Sequence, residues 1–95
     1  MKFVKLRRSS DATKKYTVFV ADEEGKERKI KFGARGMSDF TKHRDEARKM
    51  LYLKRHEKRE DWKDPLTAGF WSRWLLWNRP TIAESLADTK KRFSL

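Results

Sequence analysis

The sequence predicts an α+β fold in which an N-terminal three-stranded antiparallel sheet is followed by three helices packed on one of its faces. Three observations predict it. The first third is rich in β-branched and aromatic residues with period-two alternation, the remainder carries apolar residues at helical spacing, and the switch falls in the glycine-containing stretch 33–38. A chain of 95 residues can build one core, so residues 1–95 are expected to form a single domain. The sheet is expected within residues 1–33 and the helices over 38–60, 65–77 and 81–93.

Residues 3–6 make a short candidate strand. After the polar turn at 9–13, residues 16–21 (YTVFVA) supply a second, and Asp22-Glu23-Glu24-Gly25 turns the chain into a third. In residues 28–32 Ile30 and Phe32 fall on one side and Lys29 and Lys31 on the other, the pattern of a half-buried strand.

Ser38 or Asp39 can cap the first helix, whose apolar positions Phe40, Ala47, Met50 and Leu51 share a face with His43. His43 reads as a packed, hydrogen-bonded residue. His56 is far along the chain and no carboxylate stands at ligand spacing, so no metal site is assigned. Asp64-Pro65 is a helix start, with aspartate as N-cap and proline in the first turn. Leu66, Phe70, Trp71, Trp74, Leu75, Leu76 and Trp77 then point nearly all round the axis. That segment is expected to be the central core, with an aromatic partner surface as the alternative; it is too short to span a bilayer. Asn78-Arg79-Pro80 ends it. Thr81 and Glu84 form a capping box for the last helix, with Ile82, Leu86, Thr89 and Phe93 as its inner stripe. Glu84 and Asp88 come early and Lys90, Lys91 and Arg92 late, an order that counters the helix dipole.

Against 14 acidic residues stand 25 Lys and Arg, a formal charge of +11, which draws the protein towards phosphate polymers and acidic surfaces. With no cysteine, disulfides and thiolate metal sites are excluded. No long apolar run and no signal-peptide core are present, so a soluble or peripherally bound protein that is not secreted is expected, without a cofactor.

The first helix holds the best binding candidate. At 100° per residue Arg44, Arg48, Arg55 and Arg59 fall within about 60° of one another and span about 22 Å, with Tyr52 beside them and Glu46, Glu57 and Glu60 elsewhere. Four guanidinium groups in line can follow a phosphate backbone, and Tyr52 can stack on an exposed base. The alternative is a solvated face laced with pairs such as Asp45 with Lys49. Gly33-Ala34-Arg35-Gly36, between strand and helix, can hold an anion on backbone N–H groups with Arg35 adding charge. Its spacing fits neither a P-loop nor a dinucleotide fingerprint, and the simpler reading is a tight turn needing positive φ. Glu60, Asp61 and Asp64 lie beside Lys58, Arg59 and Lys63 and read as pairing and capping groups. Ser38 and His43 lack an orienting acid. The protein is therefore expected not to be an enzyme.

Residues 31–42 (KFGARGMSDFTK) and 59–78 (REDWKDPLTAGFWSRWLLWN), with Pro80-Thr81 and 88–93 (DTKKRF) behind them, carry a resemblance. Over about residues 30–93 the chain resembles a family of short, basic, uncharacterised proteins encoded by nucleocytoplasmic large DNA viruses. The resemblance implies a viral origin and a compact fold and names no active site. The function expected is that of a non-enzymatic structural protein in the virion or the infected host-cell interior. Its partner would be nucleic acid, held by the phosphate backbone without sequence reading, since the basic residues are not gathered on one recognition helix. The alternative is a minor capsid or scaffold component held by contacts with other virion proteins, including their acidic surfaces.

Overall fold

A computed structural model describes all 95 residues of the protein. Strands β1 (Lys2–Arg8), β2 (Lys14–Ala21) and β3 (Glu27–Ala34) form an antiparallel meander in the order β1-β2-β3. Each is longer than its apolar run, because flanking Lys and Arg residues join the ladder despite a low intrinsic preference for strands. The β2–β3 turn is built by its own residues: the Asp22 carboxylate accepts the Glu24 and Lys26 N–H groups at 3.0 and 2.9 Å, and Gly25 takes φ +80°. One sheet face is apolar. Val18, Val20, Ile30 and Phe32 lie on it, with Phe3, Leu6 and Tyr16 at its margin.

The expected helix over 38–60 is two helices, α1 (Phe40–His43) and α2 (Glu46–His56), and residues 57–60 lie beyond them. Asp39 caps α1, and Arg44 ends it in the left-handed region at φ +52°. Asp45 then starts α2, its carboxylate accepting the Ala47 and Arg48 N–H groups, while its own N–H donates to His43 Nδ1 at 2.9 Å. Asp45 is thus an N-cap and not the ion-pair partner of Lys49. The Lys49 ammonium instead donates to the Asn78 carbonyl at 2.8 Å and lies over the Phe40 ring.

The helix expected over 65–77 begins later, at α3 (Ala68–Trp71). Asp64 caps a preceding turn by accepting the Leu66 N–H, and it is the Thr67 hydroxyl that accepts the Phe70 N–H. The chain then widens into a π-helical turn, Ser72–Leu76. In an α-helix residues five apart are about 140° out of line, whereas the wider turn brings them nearly into register. Phe70 and Trp71 can therefore face the sheet together with Leu75 and Leu76, and all four are buried against Val18, Val20, Ile30 and Phe32. The Trp71 indole N–H finds the Pro65 carbonyl at 2.7 Å, so even this buried ring has its polar atom satisfied.

Helix α4 (Ile82–Phe93) packs on the π turn. Thr81 caps it, accepting the Glu84 N–H and donating its hydroxyl to the Glu84 carboxylate. Ser85 and Thr89 are buried on its inner side, and Phe93 meets Phe70 edge-on at 4.8 Å. No helix is long and apolar enough to cross a membrane.

Two anchors hold β2 and β3 to the helical part of the chain. The Lys15 ammonium pairs with the Asp39 carboxylate at 2.5 Å, where Asp39 is only 1% exposed. Gly33 has φ +77°, and a Cβ there would stand 2.9 Å from the Leu76 side chain.

Replacing Lys15 by Met strands a buried carboxylate and is expected to destabilise the fold by about 3–5 kcal/mol in urea unfolding, with Asp39→Asn on the same chain recovering much of the loss. Gly25→Ala should lose about 1 kcal/mol from left-handed strain alone, and Gly33→Ala clearly more because contact with Leu76 is added. Equal losses at the two glycines would show that strand and π turn do not approach closely at Gly33.

Three carboxyls are held below their ordinary range: Asp11 by the Thr13 hydroxyl, Asp22 by the Arg28 guanidinium, and Asp88 by the Asn78 amide with Arg92 and Arg79. Each takes up a proton less readily folded than unfolded. The stability they contribute is complete above the unfolded value of about 3.9 and is lost as pH falls through the lower folded values. The urea midpoint should therefore hold from neutrality to about pH 5 and drop below about pH 4, with a shallower acid drop in Asp88→Asn.

Candidate nucleic-acid interface

Where the open end of the β2–β3 hairpin meets α2 and the tryptophan segment, a cleft of about 530 Å³ opens. Its floor is apolar, from Phe32, Leu76 and Trp77, and its rim carries Lys14, Arg48 and Arg55 with the half-exposed Leu51. The approach of β3 to the π turn at Gly33 sets one wall, and α2 is the other.

Arg48 and Arg55 are seven residues apart, two helical turns and about 10.5 Å, so both lean over the cleft from one side of α2. Both are exposed. Neither guanidinium, nor the Lys14 ammonium, meets a carboxylate; only five of the 25 Lys and Arg side chains do so anywhere in the molecule. Unpaired cations on the rim of an apolar-floored cleft can take an anionic group with its non-polar neighbour.

Tyr52 lies between them but is not free. Trp77 stacks on it at 4.3 Å with planes 5° apart, and His56 stacks at 4.2 Å with planes 22° apart. Two rings this close and this parallel cannot share one face of a phenol, so both faces of Tyr52 are covered. It is a wall post and offers no surface to a base. Burial, reinforced by the Glu60 charge, pushes its hydroxyl well above the ordinary tyrosine range, so it stays a neutral phenol.

His56 Nδ1 contacts the Glu60 carboxylate at 3.2 Å, and Glu60 also accepts the Trp62 indole N–H at 2.9 Å. Gly69 leaves just enough room for it, since a Cβ there would stand 2.9 Å from the Glu60 carboxyl carbon. Asp61 accepts the Lys63 N–H at 2.9 Å. With Asp64 capping its turn, all three acids of this segment hold backbone or ring groups in place.

The other arginines of the expected stripe go elsewhere. Arg44 lies in the break between helices and donates to the Pro80 carbonyl at 3.3 Å. Arg59 stands past the end of α2, its guanidinium 3.5 Å from the Arg55 carbonyl. The stripe of four is broken because α2 spans only eleven residues. Arg35 donates to the Lys14 and Ser9 carbonyls at 2.7 and 2.9 Å, which ties the β1–β2 connection to the end of β3 and engages its guanidinium with the protein's own backbone. Gly33 and Gly36 both have positive φ there. His43 packs between Phe40 and Trp77.

Sequence reasoning missed Lys14, His56, Glu60 and Trp77 as cleft residues. The i, i+4, i+8 spacing of Tyr52, His56 and Glu60 was a usable signal for the α2 wall. Nothing local marks Lys14 or Trp77, which reach the cleft through tertiary packing.

A search of curated proteins and a search of solved structures each give no match to the chain. Residues 4–56 match DUF5754, a family of unknown function. The matched stretch takes in most of the sheet, α1 and α2, and so most of the cleft rim, whereas the expected resemblance runs over residues 30–93. With more than half of its length matched, the chain belongs to the DUF5754 family.

Proposed function

We propose that the protein is a non-catalytic binder of nucleic acid that grips the phosphate backbone through the cleft rim without reading sequence. The observation that carries the reading is the convergence of Arg48, Arg55 and Lys14, none of them paired, on one rim of an otherwise strongly basic molecule. Guanidinium groups take phosphate oxygens two at a time, and each phosphate neutralised releases counterions, so binding of this kind is steeply salt-dependent. With Tyr52 covered on both faces, the rim offers charge and not base stacking, which favours backbone contact over base recognition. Together with the resemblance to basic proteins of large DNA viruses, the polymer we propose is packaged or intracellular viral nucleic acid.

A second reading has its own observation. Helix α2 has no fully buried residue, and Met50 and Leu51 on it are 63% and 51% exposed beside a shallow groove lined by Ala47, Leu53 and Trp62. An apolar helix face of that kind fits a minor capsid or scaffold component held by protein contacts.

Titration into labelled duplex DNA and RNA across a salt series separates the two. Saturable binding is expected, and Arg48→Glu/Arg55→Glu with an intact fold should weaken it at least tenfold and shrink the salt slope by about two, at roughly 0.9 per phosphate. The charge-matched Lys63→Glu/Lys91→Glu variant should lose far less. Weak, non-saturating binding that both variants share would sink the cleft reading, and assembly lost on Met50→Glu, a residue outside the cleft, would establish the protein-contact one.

A further inference from the structure

The sheet face turned away from the tryptophan segment carries a second group of cations, built differently from the cleft rim. Antiparallel pairing sets Lys5 opposite Phe19 and Phe19 opposite Lys29; in the next row on that face Arg7 stands opposite Thr17 and Thr17 opposite Lys31. Directly paired residues share a face, so four cations flank a Phe19–Thr17 ridge, two on β1 and two on β3.

Phe19 is not part of the core cluster on the other face, yet it is only 9% exposed. Its neighbours cover it. The Lys5 ammonium lies 4.8 Å and the Arg7 guanidinium carbon 5.2 Å from its ring centroid. Thr17, at 2% exposed, is covered likewise, its hydroxyl donating to Ser9 Oγ at 3.0 Å.

The electron-rich ring face holds two cation heads in place, which lowers the entropy lost when an anion arrives. Two carboxylates share this face: Asp11 lies 3.7 Å from Lys31, and Glu27 stands in the next row, opposite Ala21 with Lys2 beyond it, yet Lys5, Arg7 and Lys29 have no carboxylate within ion-pair distance. Rows two residues apart stand about 6.6–6.8 Å from each other, and β1 lies about 9.5 Å from β3. Cations spread over a flat area of that size suit an extended run of phosphates better than one small anion.

We infer that this open sheet face is a second surface for the phosphate chain of nucleic acid, with Phe19 as the positioning residue for Lys5 and Arg7. The inference rests on the reading that the protein binds nucleic acid, but it shares no residue with the cleft. A ring already capped by two cations gives bases nothing to stack on, so the surface is indifferent to sequence and to strand number.

The test uses the intact chain and labelled duplex DNA and single-stranded RNA in a salt series. Lys5→Glu/Lys29→Glu is compared with Arg48→Glu/Arg55→Glu and with Lys63→Glu/Lys91→Glu, which makes the same change in net charge away from both surfaces. The sheet variant is expected to bind at least tenfold more weakly than the charge-matched control, with the salt slope smaller by about two. Should it fail to fold, Lys5→Gln/Lys29→Gln takes its place. A loss no greater than the control's overturns the inference. If the sheet variant loses binding and the cleft variant behaves like the control, the cleft reading falls and this one stands; the reverse result sinks this one alone. Phe19→Leu keeps every charge and should weaken binding about threefold, with Phe19→Trp restoring it. Native affinity in Phe19→Leu would remove the positioning role.

Discussion

Everything else in the molecule depends on one contact, the apolar face of β2 and β3 against the Phe70-Trp71 and Leu75-Leu76 pairs. Only 16 of 95 residues are buried, and these side chains are half of them. A core this small cannot spare a large side chain on its outer surface, and an unbroken α-helix would turn one of the two pairs away from the sheet. The π turn resolves that conflict. Its position then fixes its neighbours: Gly33 must lack a side chain so that β3 can approach, Leu76 and Phe32 meet as the cleft floor, and Ser85 and Thr89 make a narrow enough α4 surface to lie on the turn.

The excess of positive charge has a structural use beside any binding one. Irregular segments leave backbone carbonyls without partners, and several cations serve as their donors: Arg35 to Lys14 and Ser9, Arg44 to Pro80, Lys49 to Asn78, Arg73 to Trp77. These side chains pin loops to helices where no regular hydrogen-bond ladder runs. Burial lowers the proton affinity of Lys49 and Arg73, the expected consequence of drawing a cation under aromatic cover. Cations employed in this way are already engaged by the protein's own carbonyls, so a basic composition overstates the charge free for a partner. Of the cations without a carboxylate partner, Arg48, Arg55 and Lys14 line the cleft and Lys5, Arg7 and Lys29 lie on the back of the sheet, while others, Lys63 and Lys91 among them, are spread over the rest of the surface.

The strands could be read from the sequence because alternation is local: Ile30 and Phe32 against Lys29 and Lys31 need no knowledge of the rest of the chain. The Thr81–Glu84 cap was legible for the same reason. Asp45 was not, because an aspartate with a lysine four residues beyond it looks like an ion pair on a continuous helix, and only the left-handed Arg44 shows that a new helix begins. Asp64-Pro65 was misread because the stronger signal, the Thr67 hydroxyl, lies three residues on. The π turn has no local signature and arises from the need to bury two pairs at once. At the site, periodicity correctly grouped Arg48, Tyr52 and Arg55 on one side of a helix. That Tyr52 is covered depends on Trp77, far along the chain, which no helical wheel can place.

Helix α2 stands apart energetically. None of its residues is fully buried, and it is moored through the partly buried Tyr52 stacked on Trp77, the reach of Lys49 to the Asn78 carbonyl, and its caps. Amide hydrogens in β2 can exchange with solvent only when the sheet and the tryptophan segment come apart, whereas those of α2 are exposed by releasing these few moorings. By this count the wall that carries Arg48 and Arg55 is held by fewer buried contacts than the floor it faces, so local opening of the molecule costs least on the side where the cleft's cations stand.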